Sequence, residues 1–291
     1  METGAIDSGA DDTGTSDGGE DTGDPPEDTD PSEPIACYLG PSRDHAACLD
    51  VVDYDPAWGE DYAYPDAYDG SAQYIAPARY VDLAAVDPRL EIAPNFVLEE
   101  YMAEWKGRWG VMQTHVVDAM QDVRDEVGGP VSVNSGYRSP EYNAGVGGVT
   151  YSRHQYGDAV DLDVEGMSAD ELADICDRLG ADYVATYSTG HTHCDWRDHP
   201  LDPAFYDLPS AMAAAPAPRP VHVAELVFDG VSWSAPATGF DDGEPERRWV
   251  ARSADGSVLS AATGETFEAP DRAARVEVVI GRQVGVEAEI P

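Results

Sequence analysis

The chain has very few basic residues, and this shortage excludes some classes of partner. Its 291 residues include 17 Lys and Arg against 57 Asp and Glu, for a formal net charge of −40, and Lys106 is the single lysine. A surface this negative repels nucleic acid and anionic membranes. We therefore expect no nucleic acid partner. The acidity fits a saline habitat and an ordinary solvated surface equally well, and basic substrates or neutral polymers stay open.

The sequence also lacks long apolar runs and thiolate metal motifs. No apolar stretch approaches the ~20 residues that a membrane-spanning helix needs, and no signal peptide is visible. None of the four cysteines has CxxC spacing, so disulfides are the expected use if the chain is exported. Cys37 and Cys48 bracket a short loop and are predicted to pair. We expect an extracytoplasmic protein (periplasmic, cell-surface or secreted) whose signal sequence lies outside these 291 residues.

Composition divides the chain into five segments. Residues 1–35 hold 12 acidic and no basic side chains, so they are predicted to be a disordered tail that serves either as a tether to the cell envelope or as a solubilising extension. The other predicted segments are an extended, aromatic-rich arm with a local disulfide (36–92), a main domain (93–212), a Pro/Ala linker (213–220) and a small β-sandwich-like domain (221–291).

The main domain alternates helical and strand patterns. Apolar residues recur every three or four positions between Val111 and Val127, and Gly128 ends this amphipathic helix. A capping-box pattern at Ser168 opens a second helix, which reaches about Leu179. Strands are predicted at 131–134, 183–187 and 191–196. These patterns predict an α+β fold with a small, mainly antiparallel sheet flanked by helices.

Two separated motifs predict a zinc site within this fold. His154 and Asp161 lie seven residues apart in SRHQYGDAVD, with Gly157 between them where the backbone can turn sharply. His191 and His193 alternate as on a strand, so both side chains leave the same face. His154, Asp161 and His193 together supply three N and O ligands, with a fourth position left for water, as in catalytic zinc sites.

Other residues near these motifs have predicted supporting roles. His191 is the candidate general base or oxyanion stabiliser, and Arg138 can grip a carboxylate with two hydrogen bonds. The residues expected to support the ligands are Ser152, Asp163 and Asp195. Asp158 and Asp198 are interpreted as solvated surface charges.

A second disulfide is predicted from strand parity. Cys194 points away from the face that carries His193, and Cys176 lies on the apolar face of the helix that opens at Ser168. A Cys176–Cys194 bond would clamp the ligand-bearing strand, whereas a pair of reduced core cysteines is the alternative.

The motifs resemble the zinc D-alanyl-D-alanine carboxypeptidase family, which belongs with the murein endopeptidases and the hedgehog zinc fold. Ser152-x-His154-x-x-Gly157-x-Ala159-x-Asp161 and His191-x-His193 carry the resemblance, which covers about residues 93–197. It implies that His154, Asp161 and His193 bind Zn2+, that Arg138 binds substrate near the scissile bond, and that His191 is the non-ligand catalytic histidine. Some members carry an acidic base three residues before the last ligand, where this chain has Gly190.

The resemblance implies a zinc metallopeptidase that cleaves peptidoglycan stem peptides, typically at a D-amino acid, as a D,D-carboxypeptidase or a murein endopeptidase. The expected partners are therefore peptidoglycan peptides. The alternative is a non-catalytic, zinc-stabilised module that binds the cell wall with the same fold.

Overall fold

The structure is a computed structural model that describes residues 34–241 and 243–290. The predicted acidic tail lies outside the described residues, apart from positions 34 and 35. The described part contains the α-helices α1 Leu98–Tyr101, α2 Thr114–Val127, α3 Pro140–Gly145, α4 Ala169–Arg178 and α5 Ser210–Ala213. Within the described ranges, no helix is long and apolar enough to cross a membrane.

The strands are short and form several separate sheets. In chain order they are β1 Ile35–Ser42, β2 His45–Asp50, β3 Val52–Asp53, β4 Arg79–Asp82, β5 Glu91–Ala93, β6 Phe96–Val97, β7 Trp109–Gly110, β8 Ser132–Ser135, β9 Ala159–Asp163, β10 Tyr183–Thr186, β11 Thr192–Asp195, β12 Val223–Ala224, β13 Val227–Phe228, β14 Trp233–Ser234, β15 Ala237–Thr238, β16 Arg247–Arg252, β17 Val258–Thr263, β18 Thr266–Phe267, β19 Arg275–Ile280 and β20 Val284–Glu289. The mixture of helices with small antiparallel sheets confirms this part of the fold prediction.

The central sheet has the order β10-β11-β9-β8, and all its pairings are antiparallel. Because side chains alternate along a strand, the sheet has two different faces. One face carries Val160, Leu162, Val184 and Cys194, which are buried in the main apolar core together with residues of α2 and α4. The opposite face carries the polar residues of the candidate site.

The two long helices follow from their sequences. In α2, residues Val116, Met120 and Val123 are fully buried at the predicted spacing, and Gly128 ends the helix with a left-handed φ of 64°. In α4, the Ser168 side chain accepts from the backbone N–H of Glu171, whose carboxylate accepts from the Ser168 N–H. This is the predicted capping box.

The N-terminal part is more regular than its sequence suggested. Cys37 and Cys48, predicted to bracket a loop, instead face each other across the β1–β2 hairpin. Beyond the hairpin, residues 54–80 consist largely of short 3₁₀ turns and connecting segments. Their aromatic rings pack together, as where Trp58 stacks on Trp109 with ring centroids 4.1 Å apart. These contacts agree with a packing role for the arm's aromatic side chains.

The C-terminal part contains a four-stranded antiparallel sheet in the order β17-β16-β19-β20 and two smaller sheets. Strands β16 and β19 are six residues long, whereas residues 221–228 hold β12 and β13, which have two residues each. Trp249 of β16 is buried in an apolar cluster that also includes Tyr183 and Ala185 of β10. Strand β10 therefore contributes to two cores, one on each face. The domain boundaries drawn from composition stay predictions.

Candidate metal centre

Three side-chain atoms meet on the polar face of the central sheet. His154 Nε2 lies 3.1 Å from His193 Nδ1, His193 Nδ1 lies 3.0 Å from Asp161 Oδ1, and His154 Nε2 lies 3.2 Å from Asp161 Oδ1. All three residues are buried, with at most 2% of their surface exposed. The two motifs predicted from the sequence thus come together in a nearly equilateral triangle of ligand atoms.

Neighbouring strands and one turn build this triangle. His193 on β11 is directly opposite Asp161 on β9 in the antiparallel register, so both side chains project from one face. His154 lies in the 3₁₀ turn Arg153–Tyr156, which is capped by Ser152 and ended by Gly157. Gly157 has φ of 78°, and a Cβ there would lie 2.7 Å from the Val111 carbonyl oxygen. Only glycine fits this turn without a shift.

Hydrogen bonds on the far side of each imidazole orient its ligand atom. His154 Nδ1 is 2.7 Å from the Gly136 carbonyl oxygen, which can only accept, so Nδ1 carries a proton. His193 Nε2 is 3.3 Å from Asp195 Oδ2. In the neutral tautomers set by these partners, His154 Nε2 and His193 Nδ1 direct lone pairs into the triangle beside the Asp161 carboxylate.

This donor set fits zinc. Four-coordinate zinc with N and O ligands at 2.0–2.1 Å places neighbouring ligand atoms roughly 3.3–3.4 Å apart, close to the three distances in the triangle. Two imidazole lone pairs and a carboxylate oxygen so close together repel one another unless a cation or a proton lies among them. His154, Asp161 and His193 form a group that could hold a metal ion.

Burial and neighbouring charges shift the pKa values of the triangle residues. Burial lowers the pKa of the His193 imidazole, but hydrogen bonds to Asp161 and Asp195 outweigh burial and raise this pKa to about 10. Burial raises the pKa of the Asp161 carboxyl, whereas the His154 and His193 imidazoles and the Arg138 guanidinium hold it well below its usual range.

Asp195 lies beside the His193 imidazole, and its predicted supporting role stays a prediction. It is fully buried, lies beside His193 Nε2, and accepts hydrogen bonds from both Nε and Nη2 of Arg197. Burial raises the pKa of the Asp195 carboxyl, but the Arg197 charge dominates and keeps this pKa below its usual range. Asp195 is thus held as an anion next to His193 Nε2.

Arg138 is buried against the site. Its Nη2 donates to Asp161 Oδ2 at 2.7 Å, and its Nε donates to Ser135 Oγ at 2.9 Å. The guanidinium thereby holds the Asp161 oxygen that is not part of the triangle. This contact places Arg138 next to the predicted reaction centre, and its predicted contact with substrate stays a prediction.

His191 lies just outside strand β11, which begins at Thr192, so its predicted place on the strand is wrong by one residue. Its Nδ1 is 2.7 Å from Thr189 Oγ1, and its ring stacks on Tyr187 with centroids 4.6 Å apart. The structure does not include His191 among the residues of the triangle. Its role as the proton-transferring histidine stays a prediction.

Two predicted supporting residues differ in their placement. Ser152 accepts from the His154 N–H at 3.3 Å and caps the turn that carries His154. Asp163 is half-buried at the end of β9, opposite Ser132, and makes no hydrogen bond to either imidazole among the described residues.

The interpretation of Asp158 as a solvated surface charge is wrong. Asp158 is fully buried and forms a two-pronged ion pair with Arg153, which is 1% exposed. A buried carboxylate needs such a partner, because an isolated charge there would be costly. Asp198 is partly exposed and pairs with Arg219 at 2.6 Å, so it is an ion-paired rather than a freely solvated charge.

Asp241, like Arg197, lies near the triangle but was not identified from the sequence. Asp241, between β15 and β16, is 7% exposed and accepts from Ser152 Oγ and from the Val149 N–H at 3.2 Å. It also lies 3.8 Å from Arg138 Nη1. Asp241 stands in an acidic, glycine-containing stretch that reads as an ordinary turn, so no local signal marked it.

A cavity of about 300 Å³ borders the triangle at His193. Aromatic rings line much of it, from Tyr68, Tyr74, Tyr151 and Tyr183. Arg219 of the predicted linker and Asp241 of the C-terminal part form other portions of the wall. The cavity is therefore shared between the main domain and residues that follow it in the sequence.

Comparison with known families agrees with the site. Residues 94–195 match the model of the Peptidase M15 family. The resemblance to zinc D-Ala-D-Ala carboxypeptidase-like enzymes is thereby confirmed over about a third of the chain. The Peptidase M15 segment contains the whole triangle, whereas Asp241 and the linker lie outside it. A search among curated proteins finds no match to the chain.

Both cysteine pairs are disulfide-bonded, Cys37–Cys48 across the hairpin and Cys176–Cys194 between α4 and β11. Cys194 directly follows His193, so the second bond ties the strand that carries one candidate ligand to helix α4. The described part has no free cysteine.

Proposed function

We propose that this protein is a zinc-dependent peptidase that hydrolyses peptide bonds in peptidoglycan stem peptides at a D-amino acid, as a D,D-carboxypeptidase or a murein endopeptidase. The observation that carries the proposal is the triangle of His154 Nε2, His193 Nδ1 and Asp161 Oδ1 within a Peptidase M15 segment. Family membership alone supports a metallopeptidase, and the substrate and type of cleavage are our inference.

In this mechanism His154, Asp161 and His193 hold the metal. Zinc, when bound, supplies Lewis-acid activation of a water molecule and of the scissile carbonyl. Asp195 keeps the Nε2 proton of His193 in place, so that Nδ1 stays a ligand. Arg138 fixes the Asp161 carboxylate and offers positive charge at the edge of the site for the substrate.

Proton transfer is the role that we propose for His191. Gly190 occupies the position where some relatives carry an acidic base, so a carboxylate is not available there. His191 would take a proton from the attacking water and deliver it to the leaving amine. Its stacking on Tyr187 and its contact with Thr189 Oγ1 would hold the imidazole ring during both steps.

The two disulfides support an extracytoplasmic location, because such bonds persist in oxidising compartments. A peptidoglycan substrate would be found in the same place. We also propose that the acidic tail, residues 1–35, tethers the protein to the cell envelope.

The proposal is tested by digesting purified peptidoglycan with zinc-loaded protein and analysing the muropeptides by mass spectrometry. We expect loss of a terminal residue or cleavage of a cross-bridge, abolished by a chelator and by His154→Ala. His45→Ala, at the exposed tip of the β1–β2 hairpin, is the matched control and should retain activity. Stoichiometric zinc without any cleaved fragment would favour the alternative, a non-catalytic cell-wall binding module.

A further inference from the structure

The C-terminal part of the chain touches the candidate site at one buried carboxylate. Asp241 accepts hydrogen bonds from Ser152 Oγ and the Val149 N–H, while its own N–H donates to Tyr187 Oη at 3.0 Å. Its carboxylate also lies 3.8 Å from Arg138 Nη1. Each contact reaches a residue of the Peptidase M15 segment, although Asp241 lies outside that segment.

Two of these contacts lead directly to metal-ligand supports. Ser152, which donates to Asp241, also caps the turn that carries His154 by accepting its N–H. Arg138, the second partner, donates to Asp161. The Asp241 carboxylate therefore lies next to Ser152 and Arg138, each of which is hydrogen-bonded to a residue of the triangle.

The stretch that carries Asp241 is anchored beside the central sheet a few residues after Asp241. The Ser188 N–H donates to the Glu244 carbonyl oxygen at 2.9 Å, and the Glu246 N–H donates to the Thr186 carbonyl oxygen at 2.9 Å. These bonds extend the sheet edge beyond β10.

Ion pairs and apolar packing add to this attachment. Arg248 pairs with Asp170 at the start of α4, and Arg282 pairs with Asp170 and Asp177. The apolar cluster around Trp249 includes Tyr183 and Ala185 of β10. Asp241 thus projects from a well-packed segment, and packed support of this kind is what holds a functional side chain in place.

We propose that Asp241 is a positioning residue of the metal centre, acting through Ser152 on the His154 turn and through Arg138 on Asp161. The C-terminal part is then a required component of the metal centre. It is not a separate module that only binds the cell wall or acts as a spacer. The inference rests on the proposed zinc site, but it does not require that the substrate be peptidoglycan.

The experiment measures zinc affinity by competition with a chromophoric chelator at constant pH, together with the melting temperature. The variants are Asp241→Asn, which keeps the side-chain shape, and Asp241→Ala. Loss of a partner behind a metal ligand typically lowers metal affinity 10–100-fold. We expect about a tenfold loss or more for both variants while the protein remains folded, with partial recovery in Asp241→Glu.

Asp229→Asn is the control, because Asp229 is also in the C-terminal part and its hydrogen-bond donors among the described residues are Val231 and Ser232 of its own exposed turn. Its zinc affinity should stay within twofold of wild type. Folded Asp241→Asn protein with unchanged zinc affinity would overturn the proposal, even if its melting temperature fell, because that result describes a purely structural contact.

A parallel measurement of kcat/KM on a stem peptide separates this inference from the proposed function. If wild-type protein binds zinc but cleaves no peptide, the proposed function fails, and the zinc affinities of the Asp241 variants still decide the positioning role. If wild-type protein is active, the variants should lose kcat/KM at least in proportion to their zinc occupancy.

Discussion

Asp161 and His193 face each other across the neighbouring strands β9 and β11, and Asp161 Oδ1 lies 3.0 Å from His193 Nδ1. Antiparallel register makes this pair, since directly opposite residues project on the same side of a sheet. The turn before β9 then brings His154 to both. The candidate centre therefore depends on strand register and on one tight turn, and each can be tested separately.

The turn depends on Gly157. Replacing Gly157 by Ala should destabilise the protein, because φ of 78° is unfavourable for alanine and the new Cβ would lie 2.7 Å from the Val111 carbonyl oxygen. Gly166→Ala is the matched control, with a similar φ of 81° and no atom within 4 Å of the added Cβ. Denaturant unfolding should show a loss at least about 1 kcal/mol larger at Gly157. Equal losses would mean that the turn can relax.

The buried ion pair of Arg153 and Asp158 should contribute strongly to stability. Asp158→Ala leaves the Arg153 guanidinium buried, and its remaining near partners among the described residues are the Gln73 carbonyl oxygen and the Tyr74 and Tyr156 rings. Loss of one member of such a pair typically costs about 3–5 kcal/mol, which denaturant unfolding can measure.

Asp198→Ala provides the comparison for this ion pair, because Asp198 pairs with the half-exposed Arg219 and exposed pairs contribute less than about 1 kcal/mol. A similarly small effect at Asp158 would contradict the structural role given to the buried pair.

The two disulfides should differ in their effect on the metal centre. Removing Cys176–Cys194 by a double alanine substitution opens a closure of 18 residues and should cost about 3 kcal/mol. Zinc affinity should also fall, because Cys194 neighbours His193 on β11. The Cys37→Ala/Cys48→Ala protein should lose comparable stability but keep its zinc affinity, since the hairpin carries no candidate ligand. Equal zinc affinities in both variants would argue against a clamping role.

His115 should make stability depend on pH. Burial and the neighbouring His199 and Arg153 lower the pKa of the His115 imidazole to about 3, against the opposing charge of Asp202. Its Nε2 has no hydrogen-bond partner among the described residues. The unfolded chain takes up a proton near pH 6.5 while the folded protein does not, so this group destabilises the fold as pH falls below about 6.5.

The pH effect is measured against His115→Phe, which keeps an aromatic ring stacked near His199. Between pH 7 and pH 5 wild-type protein should lose about 2 kcal/mol more unfolding free energy than this variant. His45→Gln, at the exposed hairpin, should follow wild type. Parallel curves for wild type and His115→Phe would contradict this prediction, because they would show that His115 takes up a proton equally well in the folded and unfolded states.

The sequence predicted those parts of the structure that depend on local pattern. Helices α2 and α4 follow from apolar spacing and capping residues, and the ligand triangle follows from motifs whose spacing is typical of a known family. Cys194 and His193 could be placed on opposite faces because side chains alternate along a strand.

The sequence did not predict features that depend on contacts between distant segments. Asp158 looks like any acidic residue until Arg153, five positions earlier, is seen to be buried with it. Asp241 reaches the site only because the C-terminal part packs on β10, and nothing in its neighbourhood indicates this. Short strands such as β14 and β18 were also missed, since two residues carry no detectable period.

The most direct test of the metal centre is an anomalous difference map at the zinc absorption edge from crystals of zinc-loaded protein. We expect one strong peak per chain within 2.0–2.2 Å of His154 Nε2, His193 Nδ1 and Asp161 Oδ1. A peak held by other residues, or no peak at this triangle in fully zinc-loaded crystals, would contradict this expectation.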